Sequence, residues 1–498
     1  VIPVVIPAEM AAIDAEAPEP VEELIDRAGW ATARAARVLL SRLPPGGDGR
    51  RGVYGRRVLV LAGKGNNGAD GRSAARFLER WGVACTVVNI LDEPIHASAR
   101  PATADGFDLV LDACFGTGLR GSFDHHDLPM AVGDTTVLAV DIPSGVSGLT
   151  GAAQGRPLVA AATVTFAALK PGLLFEPGRT LAGLVEVADI GLDVSRARLW
   201  CLEAADLERW PRRAVDAHKW NQAVAVVGGS AGMTGAPTMT ATAALRAGAG
   251  YAVMAMVGGA VNAGPTEAVA VDLGAEPDEV LDRIGRCRAV AIGPGADTDE
   301  ATTESLGRVV DALSMSAVFD AGALRPELLD RRRSGGLADD PLHVLTPHDG
   351  EFERLTGHKP GEDRVAATRS AAESLRAVVV LKGRTTVIAH PDGRAYVSVA
   401  GDQRLATAGT GDVLTGIIAA GLALGLDPFD AAGLGVELHG RAARLGHPRG
   451  LTAGDLPDLV ADVLSSRSVG DERSSRLTFS TSGHPRELYR PRLTRCSP

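Results

Sequence analysis

The feature that most constrains this chain is a repeated unit: a short apolar run, a glycine-rich turn, then a helix-forming stretch. Arg57-Val58-Leu59-Val60-Leu61-Ala62 leads into Gly63-Lys64-Gly65-Asn66-Asn67-Gly68, and Ser73 to Trp81 reads as the helix that follows. Val83 to Ile90, Leu109 to Asp112 and Val137 to Asp141 are further apolar runs. Short runs without polar alternation are strands buried on both faces, and their alternation with helices predicts a parallel sheet between helical layers. A second series starts after Trp210-Pro211-Arg212-Arg213. Val224 to Val227 runs into Gly228-Gly229-Ser230, Ala289 to Ile292 into Gly293-Pro294-Gly295, and Ala317 to Phe319 into Asp320. His343 to Leu345 runs into Thr346-Pro347-His348, and Val378 to Leu381 into Lys382-Gly383. In open α/β sheets, ligands bind at the carboxyl ends of the strands, where these polar and glycine-rich turns fall.

Two such series in 498 residues exceed what one core ordinarily holds. The expected division is one domain at 1–203 and another at 204–466. The first includes a helix over Glu22 to Leu40 and a linker at Pro44-Pro45-Gly46-Gly47. Arg467 to Pro498 is rich in Ser, Arg and Pro with little apolar periodicity, and is expected to be a disordered tail.

Charge and cysteine usage exclude several classes. A formal charge of −10 argues against a broad nucleic-acid-binding surface. Cys85, Cys114, Cys201, Cys287 and Cys496 are scattered without CxxC spacing, so no zinc or disulfide framework is expected and a reducing cytoplasm suits the chain. The apolar opening Val1 to Pro7 lacks basic residues and is soon followed by Glu9, Asp14 and Glu16. It reads as neither a signal peptide nor a membrane span.

The first turn carries more than glycine. Glycines let a backbone approach a phosphate, and a helix start offers free N–H donors, but a tight turn needs no cluster of Asn66, Asn67 and Asp70. Two later strand ends, Asp112-Ala113-Cys114-Phe115-Gly116-Thr117-Gly118-Leu119 and Asp141-Ile142-Pro143-Ser144-Gly145, each close on an aspartate. Asn67, Asp112 and Ser144 could converge as hard oxygen ligands for a cation, or the aspartates could simply cap turns and helices.

In the second half, Ala408-Gly409-Thr410-Gly411-Asp412 stands directly before the apolar stretch Val413 to Ile418. Successive amides of Gly409, Thr410 and Gly411 at a helix start can form an anion hole for a transferring phosphoryl group. Asp412, in that helix's first turn, is placed to take a proton from an attacking hydroxyl. A carboxylate that only complements the helix dipole is the alternative.

The three N-terminal motifs together, in this order, resemble the epimerase domain of the NAD(P)H-hydrate repair enzymes. The resemblance covers most of residues 1–200. It implies a Rossmann-like three-layer fold and interconversion of the R and S hydrates at C6 of the nicotinamide ring. It further implies a potassium ion on Asn67, Asp112 and Ser144. Around the dinucleotide it implies Asn66, Asn67, Gly68, Ala69 and Asp70, then Gly116, Thr117, Gly118, Leu119, Arg120, Gly121 and Ser122, and finally Asp141. Lys170, in a segment also similar to the family, would neutralise substrate phosphate. Ala69 stands where the family usually has glycine, and its methyl group would crowd the backbone if φ were positive.

The AGTGD loop resembles the ribokinase-like superfamily. With Gly228-Gly229-Ser230, Gly293-Pro294-Gly295, Thr346-Pro347-His348-Asp349-Gly350-Glu351 and Val380 to Thr386, residues 215–465 are similar to the NAD(P)H-hydrate dehydratase domain on a ribokinase-like α/β fold. That implies phosphorylation of the C6 hydroxyl by ADP, then loss of phosphate to restore the dihydronicotinamide. Asp412 would be the base and Gly409, Thr410 and Gly411 the anion hole. Lys382, Gly383, Arg384, Thr385, Thr386 and Gly411 would contact the nucleotide, with magnesium beside its phosphates. Ala236, Gly295 and His348 would line the hydrate pocket. Asp320-Ala321-Gly322 departs from the family's usual DAD, so a carboxylate expected at 322 is lacking. The partners implied are NAD(P)H hydrates and ADP, in a cytoplasmic homo-oligomer without membrane or nucleic acid. A vitamin-precursor kinase on the same fold, or an N-terminal domain serving only as a binding module, are the competing readings.

Overall fold

The computed structural model describes residues 1–43, 52–90, 103–119, 121–125, 128, 132–257, 264–275, 277–334, 341–466 and 477–480. The linker at Pro44 to Gly47 and Arg120 lie outside them. The chain divides into two compact units, Pro3–Ala197 with Glu472–Pro498, and Arg198–Asp471 with Val1–Ile2.

In the first unit the predicted runs become strands Arg57–Ala62, Ala84–Asn89, Leu109–Ala113 and Val137–Val140, joined by Ala162–Phe166 and Leu184–Ala188. All pair in parallel. Alternate residues of one strand enter different cores: Val58 and Val60 pack with Leu109 and Leu111, whereas Leu59 and Leu61 pack with Val110 and Ala139. A sheet filled on both faces must be covered on both, which explains the apolar runs of the inner strands; the edge strand Ala84–Asn89, expected to be buried as well, is mostly exposed, with only Val88 buried. This is the three-layer Rossmann-like arrangement. Ala84–Asn89 lies outside Arg57–Ala62, while Leu109–Ala113 and the later strands follow on its other side. Strand order therefore reverses between Arg57–Ala62 and Leu109–Ala113, opening a crevice at their carboxyl ends.

The helices on this sheet are longer than their periodicity suggested. The first spans Val21–Arg42. The second spans Asn66–Arg80, so the asparagines belong to its first turn. Four residues of the expected tail, Leu477–Ser480, form a strand in parallel with Leu184–Ala188.

The second unit is a larger mixed sheet of the ribokinase-like kind. Its order, by strand, is Leu199–Cys201, Ala395–Ser398, Thr386–Ala389, Val378–Leu381, Val344–Leu345, Ala317–Phe319, Ala289–Ile292, Ala223–Gly228, Tyr251–Met256 and Ala268–Asp272. The antiparallel pairs are Val378–Leu381 with Thr386–Ala389, and that strand with Ala395–Ser398. The boundary expected at 203/204 falls at 197/198, because Leu199 to Cys201 hydrogen-bond alongside Ala395 to Val397. Here too the order reverses, between Ala223–Gly228 and Ala289–Ile292.

Helix Thr410–Ala423 is buried almost all round, as expected of a helix apolar on every face. It packs against Gly235–Ala247 so closely that a Cβ at Gly416 would lie 2.1 Å from the Thr240 carbonyl oxygen. Among the described residues, no helix is long and apolar enough to cross a membrane.

Candidate functional sites

The crevice of the first unit is a cavity of about 670 Å³. Asn66, Asn67 and Asp70 reach it from the helix start, Gly116, Thr117, Gly118 and Leu119 from the loop after Leu109–Ala113, and Asp141 from the end of Val137–Val140. Met10, Leu24, Ile25 and Ile190 give it an apolar wall. Of the other residues expected around a dinucleotide, Gly121 and Ser122 are exposed beyond the lining. Gly68 is buried beneath it: a Cβ there would lie 1.9 Å from the Gly63 carbonyl oxygen. Gly68→Ala is therefore expected to cost about 1–3 kcal/mol, since backbone rather than a flexible side chain must move; thermal unfolding measures it. Ala69 sits inside the helix and is not among the positive-φ residues, so its methyl group causes none of the crowding considered above.

Asp112 and Ser144 come together under this loop. Both are fully buried. The Ser144 hydroxyl donates to Asp112 Oδ1 at 2.6 Å and its amide to Oδ2 at 2.9 Å. Burial pushes the Asp112 carboxyl upward, against the lowering effect of the Ser144 and Cys114 hydrogen bonds. Asn67 has both carboxamide atoms buried without a hydrogen-bond partner, a costly condition unless a ligand completes it.

Asp141 adopts φ 66°, an uncommon conformation for a non-glycine residue and one that recurs at functional sites. Its Oδ1 accepts from Lys170 Nζ at 2.7 Å and from Thr165 Oγ1 at 3.2 Å. Lys170 is 1% exposed and also donates to Thr165 Oγ1 and to the Phe166 carbonyl. The expectation that Lys170 neutralises substrate phosphate is corrected accordingly: its ammonium is already engaged in holding Asp141.

In the second unit the loop ends converge on Asp320. Its Oδ1 accepts from Lys382 Nζ at 2.9 Å and Thr346 Oγ1 at 2.8 Å, its Oδ2 from Thr415 Oγ1 at 2.9 Å. Burial opposes its ionisation, but Lys382 and the two hydroxyls outweigh that and hold the carboxyl below its usual range. Lys382 in turn is raised despite burial, by Asp320 and by Glu351 at 3.5 Å. Gly411 belongs to the same cluster, since a Cβ there would lie 3.6 Å from Lys382 Nζ and 3.9 Å from Asp320 Oδ2.

Helix Thr410–Ala423 begins here. Gly409 is its N-cap with φ 91°, a left-handed turn that suits glycine; no side chain caps the helix start, and the Thr410 amide donates to the Thr407 carbonyl at 3.4 Å. The Thr410 hydroxyl donates to the Leu405 and Thr407 carbonyls, fixing the loop. Asp412 is half-buried, and its carbonyl accepts from Thr240 Oγ1 at 3.0 Å. Burial, then the negative charge of Asp320, pushes its carboxyl up to about 7, with Lys382 acting the other way. A base that titrates near neutrality is well matched to proton abstraction.

Ala236 and Gly295 are neighbours at the reversal: a Cβ on Gly295 would lie 3.1 Å from that of Ala236. His348 is largely exposed at the N-cap of helix Asp349–Thr356, its Nδ1 accepting from the Gly350 and Glu351 amides. It connects to the cluster through Glu351, which accepts from the His348 amide at 2.8 Å. After Lys382, Gly383 and Arg384 are exposed, Thr385 is buried, and Thr386 donates to the Gly383 carbonyl. At Gly322 a Cβ would lie 2.4 Å from the Ala296 carbonyl oxygen, so this backbone leaves no space for the carboxylate the sequence lacks.

Sequence reasoning missed Thr346 and Thr415 as partners of Asp320, and Asp14 in the N-terminal cavity. It also missed His439, fully buried on helix Pro428–Leu445 and held neutral by burial, which pushes its ring down to about 4 while a hydrogen bond to the Thr410 backbone acts the other way. Thr346 stands in a quoted strand-end motif, but its role as a partner of Asp320 is nonlocal; Thr415, Asp14 and His439 were singled out by no motif.

The two sites match two families in succession. Residues 21–104 and 91–172 match the model described as YjeF-related protein N-terminus, and residues 224–465 the model of NAD(P)H-hydrate dehydratase. A bifunctional NAD(P)H-hydrate repair enzyme of Moorella thermoacetica is 39% identical over 83% of this chain and 88% of its own length. A protein of the same name from Escherichia coli is 34% identical over 80% and 84%. A solved ADP/ATP-dependent NAD(P)H-hydrate dehydratase of Bacillus subtilis, co-crystallized with ATP and Mg2+, is 29% identical, covering 53% of this chain and 96% of that one, with a TM-score of 0.44. The similarity to the Moorella thermoacetica and Escherichia coli proteins runs through both units at once and over most of each relative's length, which leaves one assignment: this chain belongs to the bifunctional NAD(P)H-hydrate repair enzymes.

Proposed function

We propose that the chain repairs hydrated nicotinamide nucleotides in two steps, one in each unit. The N-terminal unit interconverts the R and S epimers at C6. The C-terminal unit transfers a phosphoryl group to the C6 hydroxyl of the S form, and loss of phosphate restores the dihydronicotinamide. The observation that carries the second step is Asp412, a carboxyl pushed up to about 7, in the first turn of a helix that starts at a glycine N-cap without a side-chain cap. Asp412 takes the hydroxyl proton. The amides of Gly409, Thr410 and Gly411 stabilise charge on the transferring group. Lys382 supplies positive charge beside them, oriented by Asp320.

ADP is the phosphoryl donor in this reading. Asp320 is already satisfied by three donors, and among the described residues no His, Cys, Asp and Glu cluster forms a metal cage. That suits magnesium held chiefly by nucleotide phosphates and water, where it would offset their charge. In the N-terminal unit, Asn67, Asp112 and Ser144 supply a carboxamide, a buried carboxylate and a hydroxyl. The orphaned carboxamide of Asn67 supports a bound potassium ion, which would compensate the buried charge and hold the loop. Epimerisation is expected to rise with potassium over tetramethylammonium at equal ionic strength, and Asn67→Ala to weaken that response by about 10-fold or more in the potassium concentration required. An unchanged potassium titration in the variant would remove Asn67 from the site.

The overall reading is tested with mixed R and S NADH hydrate plus ADP or ATP, following dihydronicotinamide absorbance. Full recovery at an enzymatic rate is expected. Recovery that stops near the fraction of one epimer and then creeps would remove the epimerase step, and no recovery with either nucleotide would sink the whole reading. A vitamin-precursor kinase on the same fold predicts that last result.

A further inference from the structure

The N-terminal cavity holds more acid than dinucleotide binding requires. Asp70, Asp141 and Asp14 all line it, with Lys170. Lys170 is committed to Asp141 at 2.7 Å. Asp70 is different. It is 7% exposed, lies one turn into helix Asn66–Arg80, and among the described residues no side-chain hydrogen bond or ion pair holds it. A buried carboxyl without a partner, lining a cavity, is unfavourable as a structural element and suited to a ligand that completes it.

We propose that Asp70 is the general acid of the epimerisation, delivering its proton to the hydroxyl that leaves C6. This rests on the epimerase reading of the unit. C6 is bonded to the ring nitrogen, so the hydrate is a carbinolamine. Asp70 protonates the hydroxyl oxygen, the C6–O bond breaks with its electron pair, and water departs. The nitrogen lone pair forms a C=N bond to C6. Water then adds to the opposite face, the C=N pair returns to nitrogen, and the proton released by that water restores Asp70 through solvent. The net change is inversion at C6, with no oxidant or co-reactant.

The surroundings keep Asp70 protonated for this task. Burial, followed by the negative charges of Asp141 and Asp14, pushes its carboxyl up to about 8, with Lys170 and Arg72 acting the other way. Asp141, its charge balanced by Lys170, faces the cation that forms in the ring. Two carboxyls with opposed environments in one site are the usual arrangement for dividing acid and electrostatic roles.

The test uses the full-length protein, a single purified epimer of NADH hydrate, no nucleotide, and chromatographic separation of the epimers. Asp70→Asn, which keeps size and polarity, is expected to lower kcat by about 10²-fold or more with KM little changed, and Asp70→Glu to restore part of the rate. The wild-type rate should fall as pH rises through about 8, a limb that Asp70→Asn lacks. Oxygen-18 from solvent should enter the C6 hydroxyl at the rate of epimerisation. Asp70→Asn at the wild-type rate, or epimerisation without label, overturns the proposal. A loss confined to KM assigns Asp70 to binding and also overturns it. If the wild type itself does not exceed spontaneous epimerisation, the epimerase reading has failed, a result distinct from either.

Discussion

Asp412→Asn is expected to lower the C-terminal reaction by about 10³-fold in kcat, within the range for losing a general base, while nucleotide affinity stays within about twofold. The reason for the split is positional. The anion-hole amides, Lys382 and the loop after Val378–Leu381 are untouched, so ground-state contacts survive and only the step that removes the hydroxyl proton is lost. Single-turnover dehydration of the S hydrate, with nucleotide binding by calorimetry, separates the two. The wild-type rate should rise as pH increases through about 7, because the base works only when ionised and its carboxyl is pushed up to about that value. The variant should lack this limb. A further consequence follows from linkage: a carboxyl with a raised folded pKa destabilises the native state above its unfolded value of 3.8. Asp412→Asn should therefore raise Tm at neutral pH, the mark of a residue kept for chemistry rather than stability. Substantial turnover in the variant would refute the assignment.

The second large effect is on stability. Asp320→Ala removes the acceptor of Lys382, Thr346 and Thr415 together and leaves a mostly buried ammonium without its main counter-charge. Breaking a buried pair from one side costs about 3–5 kcal/mol, and activity should disappear with it, since Lys382 and Gly411 flank the same carboxylate. Asp320→Asn combined with Lys382→Met should recover much of the stability and none of the activity. Denaturant unfolding of both variants decides it: a loss below about 1 kcal/mol in Asp320→Ala would mean the cluster relaxes or hydrates. The pH window follows from the two shifts. Asp320 is lowered from 3.8, so its contribution is present above about 4 and lost as pH falls through its folded value. Lys382 is raised from 10.5, so its contribution is present below that and lost as pH rises through the higher folded value.

Much of the frame was legible in the chain because its signals are local. Arg57 to Ala62 and Val378 to Leu381 read as buried strands from composition alone and are strands with those bounds. Glycine-rich turns marked the carboxyl ends where the cavities open. Other parts were not. Leu199–Cys201 is too short to announce itself, and only pairing with Ala395–Val397 assigns it to the second unit. Helix Asn66–Arg80 starts earlier than its apolar periodicity because its first turn is polar, facing the cavity rather than the core.

What the sequence determined by itself is the AGTGD helix start with its aspartate, and the order of motifs that identifies the family, because such turns specify backbone conformation over a few residues. What the tertiary structure decided is the surroundings of each carboxyl concerned. Asp70, Asp112, Asp141, Asp320 and Asp412 are the same residue type in sequence. Lys170 and Lys382 bind two of them, Asp141 and Asp320; burial and the Ser144 hydroxyl make Asp112 a buried anchor, and burial beside other carboxylates suits Asp412 to the proposed base and Asp70 to the proposed acid. Those differences are electrostatic and nonlocal, summed over neighbours that only the fold brings together.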